Sequence, residues 1–397
     1  MYTVHLKRKN TKVFCQLLPL SQHRFMILSG IMEAIGVLSN ILGLAVENQA
    51  SDIHIRAGRP AVLRVGGQLQ AVKMEDFTRE QVLSIVSFLE KQQPRNQHVE
   101  GQLQRDFALL DPQYGRYRVN AFFERSQPGL VLRRVKSIIP TLEELQLPVE
   151  PMRSLMGFSQ GLILVSGATG SGKSTTLAAL LQDMNQTRDN HVITLEDPIE
   201  YLFQDQASVF TQREIGIDTE DFLQGLRSAL RQDPDIIMIG ELRDAETFRV
   251  ALQAAETGHL VISTTHAANS YQTIERILEF YDTSYHPVVL RRLADNLRGI
   301  VTQKLIPGMN SALVPVVELF KPGPASRQLV REGNMGKVMD LLEDAGEDGS
   351  FSFTANFHKL VSEAKITKNV AMEHCPNPRA LEMRLKGIVL NSGKIVQ

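Results

Sequence analysis

The sequence predicts an α/β protein built on a mainly parallel sheet, and three observations carry that prediction. First, the apolar run Leu162-Ile-Leu-Val165 fits a strand buried on both faces, and Ser174-Thr-Thr-Leu-Ala-Ala-Leu-Leu181 reads as a helix behind it. Second, three more strand-like runs end in polar clusters: His191–Leu195 in Glu196–Glu200, Asp235–Ile239 in Gly240–Asp244, and His259–Ser263 in Thr264–His266. Third, helical patterns separate these runs, over 219–231 and again from Asp244 to a stop at Gly258. Ligands of such sheets sit beyond the carboxyl ends of the strands, so four polar strand ends converge on one site.

The link between the first strand and its helix is Gly167, Ala168, Thr169, Gly170, Ser171, Gly172, Lys173 and Ser174, followed by Thr175. This is the full Gly-x-x-x-x-Gly-Lys-Ser spacing of a phosphate-binding loop. Glycines let backbone N–H groups turn inward around a polyphosphate, and the helix N-terminus adds partial positive charge. Lys173 is then placed for the β- and γ-phosphates of ATP, and the Ser174 hydroxyl for Mg²⁺. The core shows no arginine placed beside the γ-phosphate. Where a typical Walker B strand ends in an aspartate, this one has Gly240, with Glu241 next.

Before the core, residues 32–138 read as a smaller α+β domain. Ile35, Leu38, Ile41, Leu42 and Ala45 recur at helical spacing, and Asp52, His54 and Arg56 alternate with Ile53 and Ile55 as in a half-buried strand. Gly66-Gly67 marks one hairpin turn, and Thr78-x-x-Gln81 caps a helix carrying Val82, Ile85, Val86 and Leu89. A second hairpin spans Arg116–Val135 with its turn expected at Gln127-Pro-Gly129. It holds Arg116, Arg118, Arg125, Arg133 and Arg134; Arg116 and Arg118 share a face, and as sequence alone a solvated polar face accounts for them.

Residues 139–151, with Pro140, Pro148 and Pro151, read as a linker and hinge. The core is expected over 152–320. Leu313–Phe320 forms its last strand, and Pro315 points to an edge. Short helices over Val338–Leu342, Asn356–Ala364 and Arg379–Leu385 make a helical subdomain of 321–397. Residues 1–31 carry Lys7, Arg8, Lys9, Lys12 and Arg24 without an acid, and polar residues interrupt any secretory apolar stretch. They are expected to be an extension of the folded domain, or a start placed too early.

Composition narrows the function classes. A net charge of −1 gives no general attraction to nucleic acid, which argues against a translocase. Two cysteines without metal-ligand spacing fit a reducing cytosolic compartment, and no run approaches the ~18 apolar residues of a membrane span. A small-molecule kinase would share the loop but leave the other strand-end clusters unexplained.

Together with Leu230–Asp244, these motifs resemble the secretion ATPase superfamily of type II secretion and type IV pili. Gly167–Ser174 is similar to its Walker A motif, Ile193–Glu200 to its Asp box and Thr257–His266 to its His box. Ser51–Gly58, Gly115–Phe122 and Ala325–Glu332 extend the likeness to the retraction ATPases, the PilT/PilU family. The resemblance implies a RecA-like P-loop ATPase core behind a PAS-like N-terminal domain. It implies a homohexamer at the inner face of the cytoplasmic membrane, partnered by a pilus platform protein and a paralogous retraction ATPase.

By position, the resemblance implies Glu200 as the carboxylate that polarises water, a task for which an ordinary pKa suffices, with Glu196 in support. Glu241 would help hold Mg²⁺, and His266 would contact the γ-phosphate. Arg116 and Arg133, then Arg118, would reach the triphosphate of the adjoining subunit. Motors for pilus assembly or secretion, and a non-catalytic ring subunit, remain the alternatives. Assembly and secretion motors usually carry an added N-terminal domain and a four-cysteine zinc module.

Overall fold

Alternation of apolar and polar residues over Asp52–Arg56 becomes strand β1, and its partners follow the same rule. The computed structural model describes residues 22–91, 104–135, 138–309, 312–344 and 349–388. The chain divides into two units between Val135 and Lys136. The first contains α1 (Gln22–Glu47), β1 (Asp52–Arg56), β2 (Val62–Val65), β3 (Gln68–Ala71), α2 (Arg79–Lys91), β4 (Gln104–Asp111), β5 (Gly115–Glu124) and β6 (Gln127–Arg134). Its sheet is antiparallel throughout, in the order β3-β2-β1-β6-β5-β4. Ile53, Ile55, Val119, Leu130 and Leu132 on one face meet Leu38, Ile41 and Leu42 of α1 and Val82, Ile85 and Leu89 of α2.

The opposite face is basic. Arg64, Asp52, Arg133 and Arg118 stand directly opposite one another across β2, β1, β6 and β5, and strand alternation adds Arg56 and Arg116. A local basic face therefore exists despite the near-neutral total. Glycines at positions 66 and 67 both take positive φ, 56° and 82°, as a two-residue hairpin turn requires. The second turn is not at Gln127-Pro-Gly129. Those residues are already in β6, and the turn is Arg125-Ser126, at φ 49° and 63°.

Two further boundaries differ. Helix α1 starts at Gln22, ten residues before the expected domain start; residues 1–21 of the expected extension lie outside the described residues. The expected linker is largely packed on the second unit. Thr141 and Glu144 form a reciprocal capping box there, and Leu142 and Leu147 are buried in its core. Apolar side chains in the segment explain this, because they have more to gain from burial than a linker allows.

The second unit runs α3 (Val149–Leu155), β7 (Gly161–Ser166), α4 (Lys173–Asn185), β8 (His191–Glu196), β9 (Val209–Glu214), α5 (Phe222–Ala229), β10 (Ile236–Ile239), α6 (Ala245–Glu256) and β11 (Leu260–Thr265). It continues with α7 (Ser270–Leu278), α8 (His286–Asn296), β12 (Leu297–Pro307), β13 (Leu313–Phe320) and α9 (Pro324–Arg331). The last helices are α10 (Met335–Asp344), α11 (Phe353–Ser362), α12 (Lys368–His374) and α13 (Pro378–Leu385). The sheet order is β13-β12-β7-β11-β10-β8-β9, parallel except for β13 at the edge, where Pro315 lies. Alternate residues of each strand serve opposite cores: Leu162, Leu164, Ile237 and Ile239 pack towards α5–α10, while Ile163, Val165, Ile236 and Met238 pack towards α3 and α4. This puts the carboxyl ends of β7, β8, β10 and β11 side by side.

The segment after β13 is not one subdomain. Val330, Met335, Val338 and Leu342 of α9 and α10 belong to the main core, whereas Phe353, Phe357, Leu360, Ala371, Cys375 and Leu381 make a separate cluster with Ile306, Val314 and Val316. Residues 345–348 and 389–397 of that segment lie outside the described residues. Among the described residues no helix is long and apolar enough to cross a membrane.

Candidate active site

The loop after β7 is fixed at its root before it turns. Every residue of β7 is buried, and Ser166 Oγ accepts from Thr265 Oγ1 and from the Ala267 N–H, both at 3.0 Å. Gly167 takes φ 147°, where an added Cβ would fall 2.4 Å from the Gln303 carbonyl oxygen. Gly172, at φ 88°, is the N-cap of α4, so Lys173 is the helix's first residue. Burial lowers the Lys173 pKa against the raising charges of Glu241 and Glu200. Its Nζ donates to the carbonyls of Gly167 (2.8 Å) and Ala168 (3.1 Å). Ser174 is exposed, and Thr175 Oγ1 lies 2.9 Å from Tyr201 Oη.

Thr169, Gly170, Gly172, Lys173, Ser174 and Thr175 line one cavity of about 500 Å³ together with Glu196, Glu200, Glu241 and His266. Gly167, Ala168 and Ser171 face a second cavity behind the loop. Arg116, Arg118 and Arg133 belong to the first unit. There Arg133 Nε donates to Asp52 Oδ1 at 2.7 Å. Burial pushes the Asp52 carboxyl up, but hydrogen bonds from Arg133 and Ser51 bring it below its usual range.

The two Asp-box glutamates are held differently. Glu196 ends β8, is 7% exposed, and accepts from Thr194 Oγ1 (2.6 Å), Gln212 Nε2 (3.1 Å) and the Glu200 backbone N–H. Burial pushes its pKa up to about 7, the hydrogen bonds from Thr194 and Gln212 oppose this, and the charge of Glu200 adds to it. Gln212 also donates to the Tyr201 carbonyl and accepts from the Phe203 N–H, so it holds the turn that carries Glu200. Glu200 itself is exposed. The buried acid thus braces the turn while the exposed one is free to reach a substrate.

Glu241 stands just beyond β10, with Oε2 3.7 Å from His266 Nε2. Its carboxylate is engaged by Arg243, which also lies 3.4 Å from Asp197 and packs over the Phe222 ring. An arginine therefore sits among the core's carboxylates, though it does not line the cavity. It was in view within Gly240–Asp244, but its meaning depends on Asp197, a residue from another strand end. Asp244, by contrast, caps α6, accepting from the Thr247 N–H at 2.8 Å.

The donor set suits a polyphosphate with a hard cation. Ser174 and Glu241 offer oxygen ligands only, and Mg²⁺ is commonly held by one or two carboxylates plus substrate phosphates.

The chain is similar to proteins of known function. The type IV pilus ATPase PilU of Pseudomonas aeruginosa is 38% identical over 347 residues, covering 87% of this chain and 90% of that protein. The type IV pilus retraction ATPase PilT of the same organism is 36% identical, covering 86% and 98%. A crystal structure of the pilus retraction motor PilT with bound ADP superposes at a TM-score of 0.79 and 38% identity, covering 86% of this chain and 98% of that one. The family model for type II/IV secretion system proteins matches residues 30–368, and with a loop, carboxylates and histidine gathered at four parallel strand ends, the chain belongs to that family.

Proposed function

We propose that this chain is a hexameric ATP-hydrolysing motor that powers type IV pilus retraction, working in the cytoplasm against the platform protein and alongside a paralogous retraction ATPase. The observation that carries the reading is the single cavity that joins Lys173 and Ser174 to Glu200, Glu241 and His266. The loop N–H groups and Lys173 bind the β- and γ-phosphates. Ser174 and Glu241 would hold Mg²⁺, which would supply charge neutralisation at the phosphate oxygens. Glu200 orients the attacking water from its exposed position, His266 contacts the γ-phosphate, and Glu196 keeps the Glu200 turn in place. Arg116, Arg118 and Arg133 complete the site of a neighbouring subunit.

A deletion strain tests this. Pili should remain on the surface but fail to retract, twitching should stop, and wild-type chain but not Glu200→Gln should restore it. Loss of surface pili would instead make the chain an extension motor.

A further inference from the structure

We propose that Gln303 of β12, which no nucleotide-binding motif marks, is a positioning residue that sets the phosphate-binding loop in its ligand-ready shape. The inference deepens the nucleotide-binding reading above and rests on it.

A loop that turns its N–H groups inward turns carbonyls outward, into protein that must supply donors. The Gln303 side chain does this at the middle of the loop. Its Nε2 donates to the Ser171 carbonyl at 2.7 Å, and its Oε1 accepts from Thr176 Oγ1 at 2.7 Å. Gln303 is 3% exposed and Thr176 1% exposed, so water offers neither group a substitute partner. One planar carboxamide thereby ties the loop to the first turn of α4, on either side of Gly172 and Lys173.

The loop is also shaped around this residue. A Cβ on Gly172 would fall 2.9 Å from Gln303 Nε2, and one on Gly167 2.4 Å from the Gln303 carbonyl oxygen. Two of the glycines are therefore needed where the backbone approaches Gln303 closely. The frame is rigid, because β12 pairs with β7 up to Thr302 opposite Ser166, and Gln303 is the next residue. A donor and an acceptor in one neutral group at this reach are what glutamine supplies and a hydrophobic residue of equal volume lacks.

The test uses full-length chain and a fluorescent ADP analogue. Gln303→Met keeps volume and removes both hydrogen bonds, leaving a buried carbonyl unpaired. It should weaken ADP binding about tenfold or more while the nucleotide-free protein stays folded. KM for ATP should rise in step, with kcat at saturation within about threefold of wild type. Thr176→Val should weaken binding too, and less so in the Gln303→Met background, because both act through one hydrogen bond.

Wild-type affinity in Gln303→Met, additive effects in the double variant, or a variant that does not fold would each overturn the inference, since a positioning residue leaves the empty protein intact. Wild-type chain that fails to bind ADP overturns the nucleotide reading as well. Binding by wild type with equal binding by Gln303→Met overturns this inference alone.

Discussion

At the residue scale the carboxylates divide the labour, and Glu196 makes a prediction in the nucleotide-free protein. Its folded pKa of about 7 lies above the model-peptide 4.5, so between those values the folded chain holds the proton more tightly than the unfolded one. The stability it contributes is complete below the unfolded value and lost as pH rises through the folded one. Glu196→Gln cannot ionise, so between about pH 5 and 8 it should lose about 2 kcal/mol less stability than wild type, read by urea unfolding. Parallel profiles would refute it. Lys173, Glu200, Glu241 and His266 were legible because each lies in or beside a strand-end motif. Gln212 and Gln303 were not, because their importance lies in partners 16 and 132 residues away, and nothing local announces such a bond.

At the element scale, the apolar strands of the second unit were legible and its two mixed ones, β9 and β12, were not. Strand β9 (Val-Phe-Thr-Gln-Arg-Glu) is half-exposed at a sheet edge and carries polar residues, while β12 mixes Arg298, Gln303 and Lys304 with buried Ile300 and Val301. The misplaced turn has a similar cause: Gln127-Pro-Gly129 has turn composition, but register puts Gln127 opposite Glu124 and leaves only Arg125 and Ser126 to reverse the chain. Neither residue is favoured at positive φ. Replacing the pair by Asn-Gly (Arg125→Asn with Ser126→Gly) should raise the unfolding free energy of the first unit by about 1 kcal/mol. A denaturant midpoint that is unchanged or lower would show that the turn is not strained.

At the scale of the whole molecule, the arginine face of the first unit and the carboxylate-rich strand ends of the second are complementary in charge. The proposed ring would let one subunit's arginines meet another's phosphates, and an arginine so delivered contributes roughly 10³–10⁵ in kcat. Mixing Lys173→Ala with Arg133→Ala under subunit exchange should then recover part of the ATPase activity, and repeating it with Arg116→Ala identifies the residue responsible. No recovery in confirmed mixed rings, or full activity of both arginine variants alone, would end the idea. The sheet order has another consequence, for biosynthesis. Strand β7 lies between β11 and β12, so the first half of the site is made long before its neighbours exist. The Ser171–Gln303 bond closes only after 132 further residues have left the ribosome, and a nascent chain that already carries Gly167–Ser174 has no formed loop to offer. Such a chain would engage nucleotide at full strength only after Gln303, the last partner of the loop, had been synthesised.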